Sequence, residues 1–202
     1  MSASRYVVGI DLGTTNTVIS YLDTSVDAEE QAVKVLPIPQ HSAPGVVEDA
    51  DSLPSFIYLA AGPEFSADAL DLPWAKERGF TVGRLARDEG ASVPKRVIGS
   101  SKSWLCHAGV DRTAPILPFK APEEVDQISP LDAALRFIEH LRDAWDHSMA
   151  ASDEDCRLEK QEVLLTVPAS FDAVARDLTM KAAKRAGLEV TLLEEPQAAF
   201  YA

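Results

Sequence analysis

The chain has 202 residues, 46% of them hydrophobic and 25% charged, which is enough apolar content for the core of one domain or two small subdomains. Lys and Arg number 19 against 32 Asp and Glu, a formal net charge of −13, so a broad nucleic-acid-binding face is not expected and any phosphate ligand has to be held locally by backbone N–H groups, a lysine or two and a metal ion. Cys106 and Cys156 are too few for a disulfide framework and read as reduced thiols of a cytoplasmic protein.

No basic segment followed by an apolar run opens the chain, and no stretch approaches the ~18 apolar residues of a membrane span, so neither a signal peptide nor a membrane partner is expected. The acidic clusters Asp27–Glu30, Glu48–Asp51 and Asp153–Asp155 read as solvated loops. His140 and His147 fall on one helix face without metal-ligand spacing and read as solvated surface.

In chain order, Tyr6-Val7-Val8-Gly9-Ile10 is an apolar run of strand length that ends in the turn Asp11-Leu12-Gly13-Thr14-Thr15-Asn16. Thr17 to Leu22 is again β-branched and apolar, predicting a hairpin, and Ala32 to Ile38 predicts a third strand stopped by Pro37 and Pro39. The segment from about Pro39 to Asp126 is richer in proline and less periodic, with short strands expected at Ser55–Leu59 and Phe80–Val82 and a helix near Ser101–Leu105.

From Pro130 to Met149 an apolar stripe of Leu131, Ala134, Leu135, Ile138, Leu141 and Trp145 predicts a helix, with Ser129 as its N-cap and Pro130 in its first position. Glu162–Val167 reads as a buried strand ending at Pro168. Phe171–Ala186 reads as a helix capped by Gly187, and Leu188–Leu193 as the next strand. From Glu194 and Glu195 to Ala202 a further helix begins, with Pro196 in its first turn.

The chemistry concentrates at the first turn. A strand delivers Asp11 to the mouth of a tight turn in which Gly13 can approach an anion and adopt positive φ, successive N–H groups can form an anion-binding nest, and Thr14 and Thr15 add hydroxyls. Asp11 is placed to hold Mg²⁺ through water, because that ion keeps much of its hydration shell.

Gly9-Ile10-Asp11-Leu12-Gly13-Thr14-Thr15-Asn16 resembles the first phosphate motif of the actin, sugar-kinase and heat-shock ATPase superfamily. Leu53-Pro54-Ser55, Val82-Gly83-Arg84-Leu85-Ala86-Arg87, Ile116-Leu117-Pro118-Phe119-Lys120, Gln127-Ile128-Ser129-Pro130, Leu165-Thr166-Val167-Pro168-Ala169-Ser170-Phe171, Ala186-Gly187-Leu188 and Glu195-Pro196-Gln197-Ala198-Ala199 then resemble, in order, the DnaK-like chaperones of the 70-kilodalton heat-shock family. The likeness is closest at the two ends and partial in the middle, which marks a divergent relative.

The resemblance implies an α/β fold of the ribonuclease-H-like, actin-like ATPase type, lobe I only, with residues 1–36 and 125–202 forming the core subdomain and 37–124 an inserted α+β subdomain. It implies ATP or ADP with Mg²⁺ as cofactors, phosphate held by Gly13, Thr14, Thr15 and Asn16, and a lysine of the insertion reaching the γ-phosphate. Two lysines qualify. Lys95-Arg96-Val97-Ile98-Gly99 has the literal family pattern, whereas an ungapped count from Val82-Gly83 puts Pro94 on the family's loop proline and Lys102 on its catalytic lysine, so Lys102 is preferred to Lys95.

Glu195, with Glu194 beside it, matches the acidic residue that orients metal-bound water. Pro168 and Arg176 match a pair that relays nucleotide state, and Met180, followed by Lys181, stands where many chaperones carry a basic residue against the interdomain linker. The function expected is the partial ATPase domain of a chaperone with unfolded clients and co-chaperones. A small-molecule (sugar) kinase and a filament-forming actin-like ATPase are the alternatives. Without a second lobe, this chain alone is expected to be inactive.

Overall fold

The computed structural model describes residues 4–62 and 64–200. Strand β1 (Tyr6–Leu12) turns back into β2 (Asn16–Asp23), antiparallel with Val8 opposite Tyr21 and Leu12 opposite Thr17. The short β3 (Lys34–Val35) pairs with the far end of β2. A two-stranded sheet follows, β4 (Ile38–Ala43) with β5 (Val46–Ala50), and then β6 (Leu53–Pro54) returns to the near end of β2.

Next come β7 (Phe56–Leu59), β8 (Phe80–Val82), helix α1 (Arg84–Ser92), β9 (Val97–Gly99) and helix α2 (Ser101–Cys106), with β7 central in a three-stranded sheet. Helix α3 (Pro130–Met149) leads to β10 (Glu162–Val167), α4 (Ala173–Arg185), β11 (Val190–Glu194) and α5 (Glu195–Phe200). The protein is therefore mixed α/β, with a central mixed sheet in the order β11-β10-β1-β2-β3 and β6 added on β2. The strands β1, β10 and β11 run parallel, so their C-terminal ends share one edge of the sheet.

Burial alternates along β1 (Tyr6, Val8, Ile10) and β10 (Val163, Leu165, Val167), and these side chains join one continuous core with Ile138, Leu141 and Trp145 of α3 and Ala182 of α4. Helix α3 starts as its sequence implies: the Ser129 hydroxyl accepts from the Asp132 amide at 3.0 Å, and Pro130 occupies the first turn, where its missing N–H costs nothing. Helix α4 ends at Ala186, and Gly187 follows at φ 81°. The Leu188 amide then reaches the Ala183 carbonyl and the Gly187 amide the Lys184 carbonyl, the paired bonds that close a helix end.

Several boundaries differ from the sequence expectation. The strand expected over Ala32–Ile38 is split: Pro37 separates β3 from β4, and β4 runs through Pro39, opposite Asp49. A proline is tolerated there because β4 has a neighbour on one side only. Ser55 stands outside β7, since its amide and hydroxyl turn toward the first hairpin. Helix α4 begins two residues later than expected because Asp172, not Phe171, caps it, accepting from the Ala175 amide at 2.6 Å. The strand expected at Leu188 starts at Val190, because Leu188 completes the helix cap.

Glu48, Asp49 and Ala50 are solvated as expected but belong to β5 instead of a loop. His140 is a core residue and not surface. It is 3% exposed, its Nε2–H donates to the Pro39 carbonyl at 3.0 Å, and its ring meets the Trp74 ring edge-on at 5.6 Å. The segment between β3 and α3 covers the helix face that a lone amphipathic helix would leave wet. Tyr201 and Ala202 of the expected last helix lie outside the described residues.

Candidate functional site at the parallel strand ends

Asp11 is the last but one residue of β1, exposed at the sheet edge, and its Oδ1 accepts a hydrogen bond from the Thr166 hydroxyl of β10 at 2.8 Å. The two are direct neighbours in the parallel ladder, so the register alone sets this contact. Gly13, Thr14 and Thr15 make the turn. A Cβ built on Gly13 would stand 2.0 Å from the Asn16 carbonyl oxygen. Glycine is required there by this close backbone approach and not by the positive φ expected from the sequence, since the left-handed glycines among the described residues are Gly45, Gly62, Gly83 and Gly187.

Ser55 clamps the turn from outside. Its hydroxyl donates to the Gly13 carbonyl at 2.7 Å and its amide to the Thr15 carbonyl at 2.8 Å, while Thr17 Oγ1 lies 3.1 Å from the same hydroxyl. With the turn carbonyls occupied, the amides of Gly13, Thr14 and Thr15 make no backbone hydrogen bond among the described residues. Thr14, Thr15 and Asn16 are exposed. Successive unpaired amides in a fixed turn can form a concavity that accepts anions.

The two lysines separate. Lys95 sits exposed in a single helical turn over Pro94–Arg96 and has no ion pair among the described residues. Lys102 lies in the first turn of α2, its side chain 12% exposed, and its Nζ reaches Glu195 Oε1 at 2.5 Å. Ser100, two residues earlier, holds a left-handed backbone (φ 54°) and makes no side-chain capping bond. Lys102 shares with Gly13, Ser55 and Thr166 the lining of a cavity of about 30 Å³, room for one or two waters between the charged edge and the apolar core.

Glu194 ends β11 and Glu195 opens α5. Glu194 accepts from Arg176 Nη2 of α4 at 2.7 Å, and Arg176 Nε also donates to the Phe171 carbonyl at 3.3 Å. Beneath this edge Arg112 grips Asp172 with two parallel bonds of 2.9 and 2.7 Å. That guanidinium and the Ala175 amide hold the Asp172 carboxyl far below the usual carboxylate range, at about 2. Met180 is partly exposed on α4 beside Lys181.

The edge thus gathers Asp11, Thr166, the turn amides, Lys102 and Glu195. Thr166 and Ser55 had no role assigned from the sequence. The available signals were a hydroxyl inside the buried run Val163-Leu164-Leu165-Thr166-Val167 and the serine of Leu53-Pro54-Ser55. Among the described residues no group of three or more His, Cys, Asp or Glu stands together as a metal cage. The donors present are the Asp11 carboxylate, the lysine-paired Glu195 carboxylate and nearby hydroxyls, hard oxygens suited to a hydrated cation contacted through its water. No helix of the described residues is long and apolar enough to cross a membrane.

An α/β domain with its charged residues collected at the carboxyl ends of parallel strands has a ligand-binding architecture. No family model matches the chain. It is similar to the chaperone protein HscA of Salmonella agona, 31% identical over 201 residues that cover 96% of this chain and 28% of that protein. HscA of Salmonella paratyphi B and of Salmonella newport are each 32% identical over the same extents. Over this extent the chain is similar to chaperones as a divergent, DnaK-like relative of the 70-kilodalton heat-shock family would be, and it spans 28% of the length of these curated relatives.

Proposed function

We propose that this chain is the first lobe of the ATP-binding and ATP-hydrolysing domain of a heat-shock-type chaperone, with a ribonuclease-H-like, actin-like architecture. Residues 1–36 and 125–202 form its core subdomain and 37–124 the inserted one. The observation that carries the reading is the Lys102–Glu195 contact at 2.5 Å, which brings together, across 93 residues of sequence, two of the three residues that the family resemblance assigns to catalysis, the third being Asp11. The chaperone relatives do not favour the small-molecule kinase or filament-forming alternatives.

In this reading the amides of Gly13, Thr14 and Thr15, with the Thr14 and Thr15 hydroxyls and Asn16, hold phosphate. Lys102 reaches the γ-phosphate or the attacking water, and Glu195 orients that water. Asp11, itself positioned by Thr166, contacts hydrated Mg²⁺, an ion that offsets phosphate charge when bound. Catalysis at such a site consists of positioning and fixed charge more than covalent chemistry. The parent protein acts in the cytoplasm on unfolded clients with co-chaperones, and binds neither nucleic acid nor membrane.

The test is titration of the parent protein and its Asp11→Asn variant with ATP, with Mg²⁺ and with chelator. A carboxylate that works through metal-bound water loses more affinity in Mg²⁺ than without it. Equal losses in both conditions would make Asp11 a structural turn residue and remove the metal from the reading.

A further inference from the structure

Away from the strand-end site, two arginines face one aromatic ring. Arg78, just before β8, and Arg136 of α3 place their guanidinium carbons 4.4 and 3.9 Å from the centroid of Phe80. Each keeps a buried Nη1 with no hydrogen-bond partner, and neither has an ion pair among the described residues. The neighbouring cations are already matched, Arg142 with Asp143 at 2.6 Å and Lys76 with Asp71 at 3.4 Å. Burial, then repulsion from Arg136, lowers the pKa of Arg78 to about 10, and burial lowers that of Arg136.

Both arginines line a groove of about 400 Å³ whose walls also carry Trp74, Phe80, His140 and the carboxylates Glu77, Glu139 and Asp143, the last already paired with Arg142. Because a carbonyl can only accept, the bond from His140 Nε2 to Pro39 makes the other ring nitrogen, Nδ1, an acceptor, and it too is buried without a partner. Burial pushes the His140 pKa down to about 3, so the ring is neutral. The groove shares no lining residue with the cavity beneath Lys102.

Buried charges are normally paired, and these two adjacent guanidiniums have no carboxylate within ion-pair distance among the described residues, Glu139 attracting both only from farther off, so an oxyanion between them would complete the pairing. The planar fork of arginine matches an oxyanion in two-pronged fashion. We propose that this groove is a binding site for a compact oxyanion, a phosphate or carboxylate group, held by the guanidiniums of Arg78 and Arg136, which the Phe80 ring orients from beneath. The acceptor nitrogen of His140 suits an anion that also carries a hydroxyl, which hydrogen phosphate does and a carboxylate does not.

The test is nuclear magnetic resonance titration of the chain, in a Lys102→Ala background that weakens the other phosphate site. Inorganic phosphate and, separately, acetate are added at ionic strength fixed with chloride. The resonances followed are the Nε–H groups of Arg78 and Arg136 and the Trp74 indole N–H. A saturable shift confined to these groups is expected, weakened about tenfold or more by Arg78→Gln and by Arg136→Gln, since each removes a charge-assisted fork. Saturation by phosphate alone assigns the hydroxyl-bearing anion; saturation by both assigns any oxyanion, and by acetate alone a carboxylate. The absence of a saturable shift with either anion in the otherwise unaltered groove overturns the proposal, as does an undiminished shift in a folded Arg78→Gln, Arg136→Gln double variant.

Discussion

Lys102 and Glu195 form an ion pair of 2.5 Å that ties the first turn of α2 to the first turn of α5. Lys95, seven residues earlier and closer to the literal family pattern, stands exposed and apart from that edge. If the pair marks the catalytic lysine, Lys102→Ala in the parent protein lowers single-turnover ATP hydrolysis by about a hundredfold or more, the scale of losing one preorganised charge contact, and largely spares nucleotide affinity. Lys95→Ala leaves the rate within about twofold, as a surface substitution does. Measuring both variants side by side decides it: a dead Lys95→Ala with a normal Lys102→Ala reverses the assignment.

Gly13 and Gly187 are both indispensable, for different reasons, and the difference can be measured. At Gly187 the space around a Cβ is open and the difficulty is φ 81°, so Gly187→Ala costs about 1–2 kcal/mol and Gly187→Asn, which tolerates that region, costs less. At Gly13 the added carbon meets the Asn16 carbonyl, and any side chain forces the turn open. Gly13→Ala and Gly13→Asn should therefore both destabilise the chain, by about 1–3 kcal/mol. Urea denaturation of the four variants is the check, and a Gly13→Asn as stable as the parent chain would show that the turn can move aside.

Local signals carried much of the architecture. The run into Asp11 and the β-branched return gave the hairpin, Ser129 and Pro130 marked the start of α3, and Gly187 marked the end of α4, because each is settled by residues within a few positions of it. What escaped was set by distant partners. Helix α1 holds Gly90 and carries no capping side chain, so its sequence gives little warning of it. Pro39 passed for a strand breaker until its one-sided sheet was known. His140 passed for surface because its cover, Trp74 and the Pro39 carbonyl, comes from another part of the chain. At the site, the turn was legible in eight consecutive residues and the preference for Lys102 over Lys95 in the spacing from Val82-Gly83, whereas the Ser55 clamp depended on three-dimensional contacts.

The Arg112–Asp172 fork predicts a definite titration. Asp172 has a folded-state pKa of about 2, below its unfolded value, so its contribution to stability is complete above the ordinary carboxylate range and is lost as pH falls through that range toward 2. Carboxyl carbon resonances should place Asp172 near 2 in the chain and well above it in Arg112→Gln, where only the helix-start amides of Val174 and Ala175 remain to hold the charge. An Asp172 that titrates like an unperturbed aspartate in the unaltered chain would mean the fork is not populated in solution.

Trp145 tests whether the chain folds as one unit. It is completely buried on α3, its indole N–H donates to the Cys156 carbonyl at 2.8 Å, and its ring meets Tyr6 and Tyr21 edge-on at 5.4 and 5.5 Å. It therefore joins α3 to the central hairpin and to the connection into β10. Two effects can be separated by size of substitution. Trp145→Phe keeps most of the apolar volume but leaves the Cys156 carbonyl unpaired in the core, a cost of about 1–3 kcal/mol. Trp145→Ala also opens a cavity and loses the aromatic contacts, raising the cost to about 3–5 kcal/mol. Because the same buried cluster runs from Tyr6 through Ile98 and Leu105 to Val190, both losses should appear as shifts of one cooperative urea transition seen alike by circular dichroism and by the remaining tryptophans, Trp74 and Trp104. A Trp145→Phe chain as stable as the parent would show that the Cys156 carbonyl finds another donor, and two separate transitions would show that the segment between β3 and α3 unfolds independently of the central sheet.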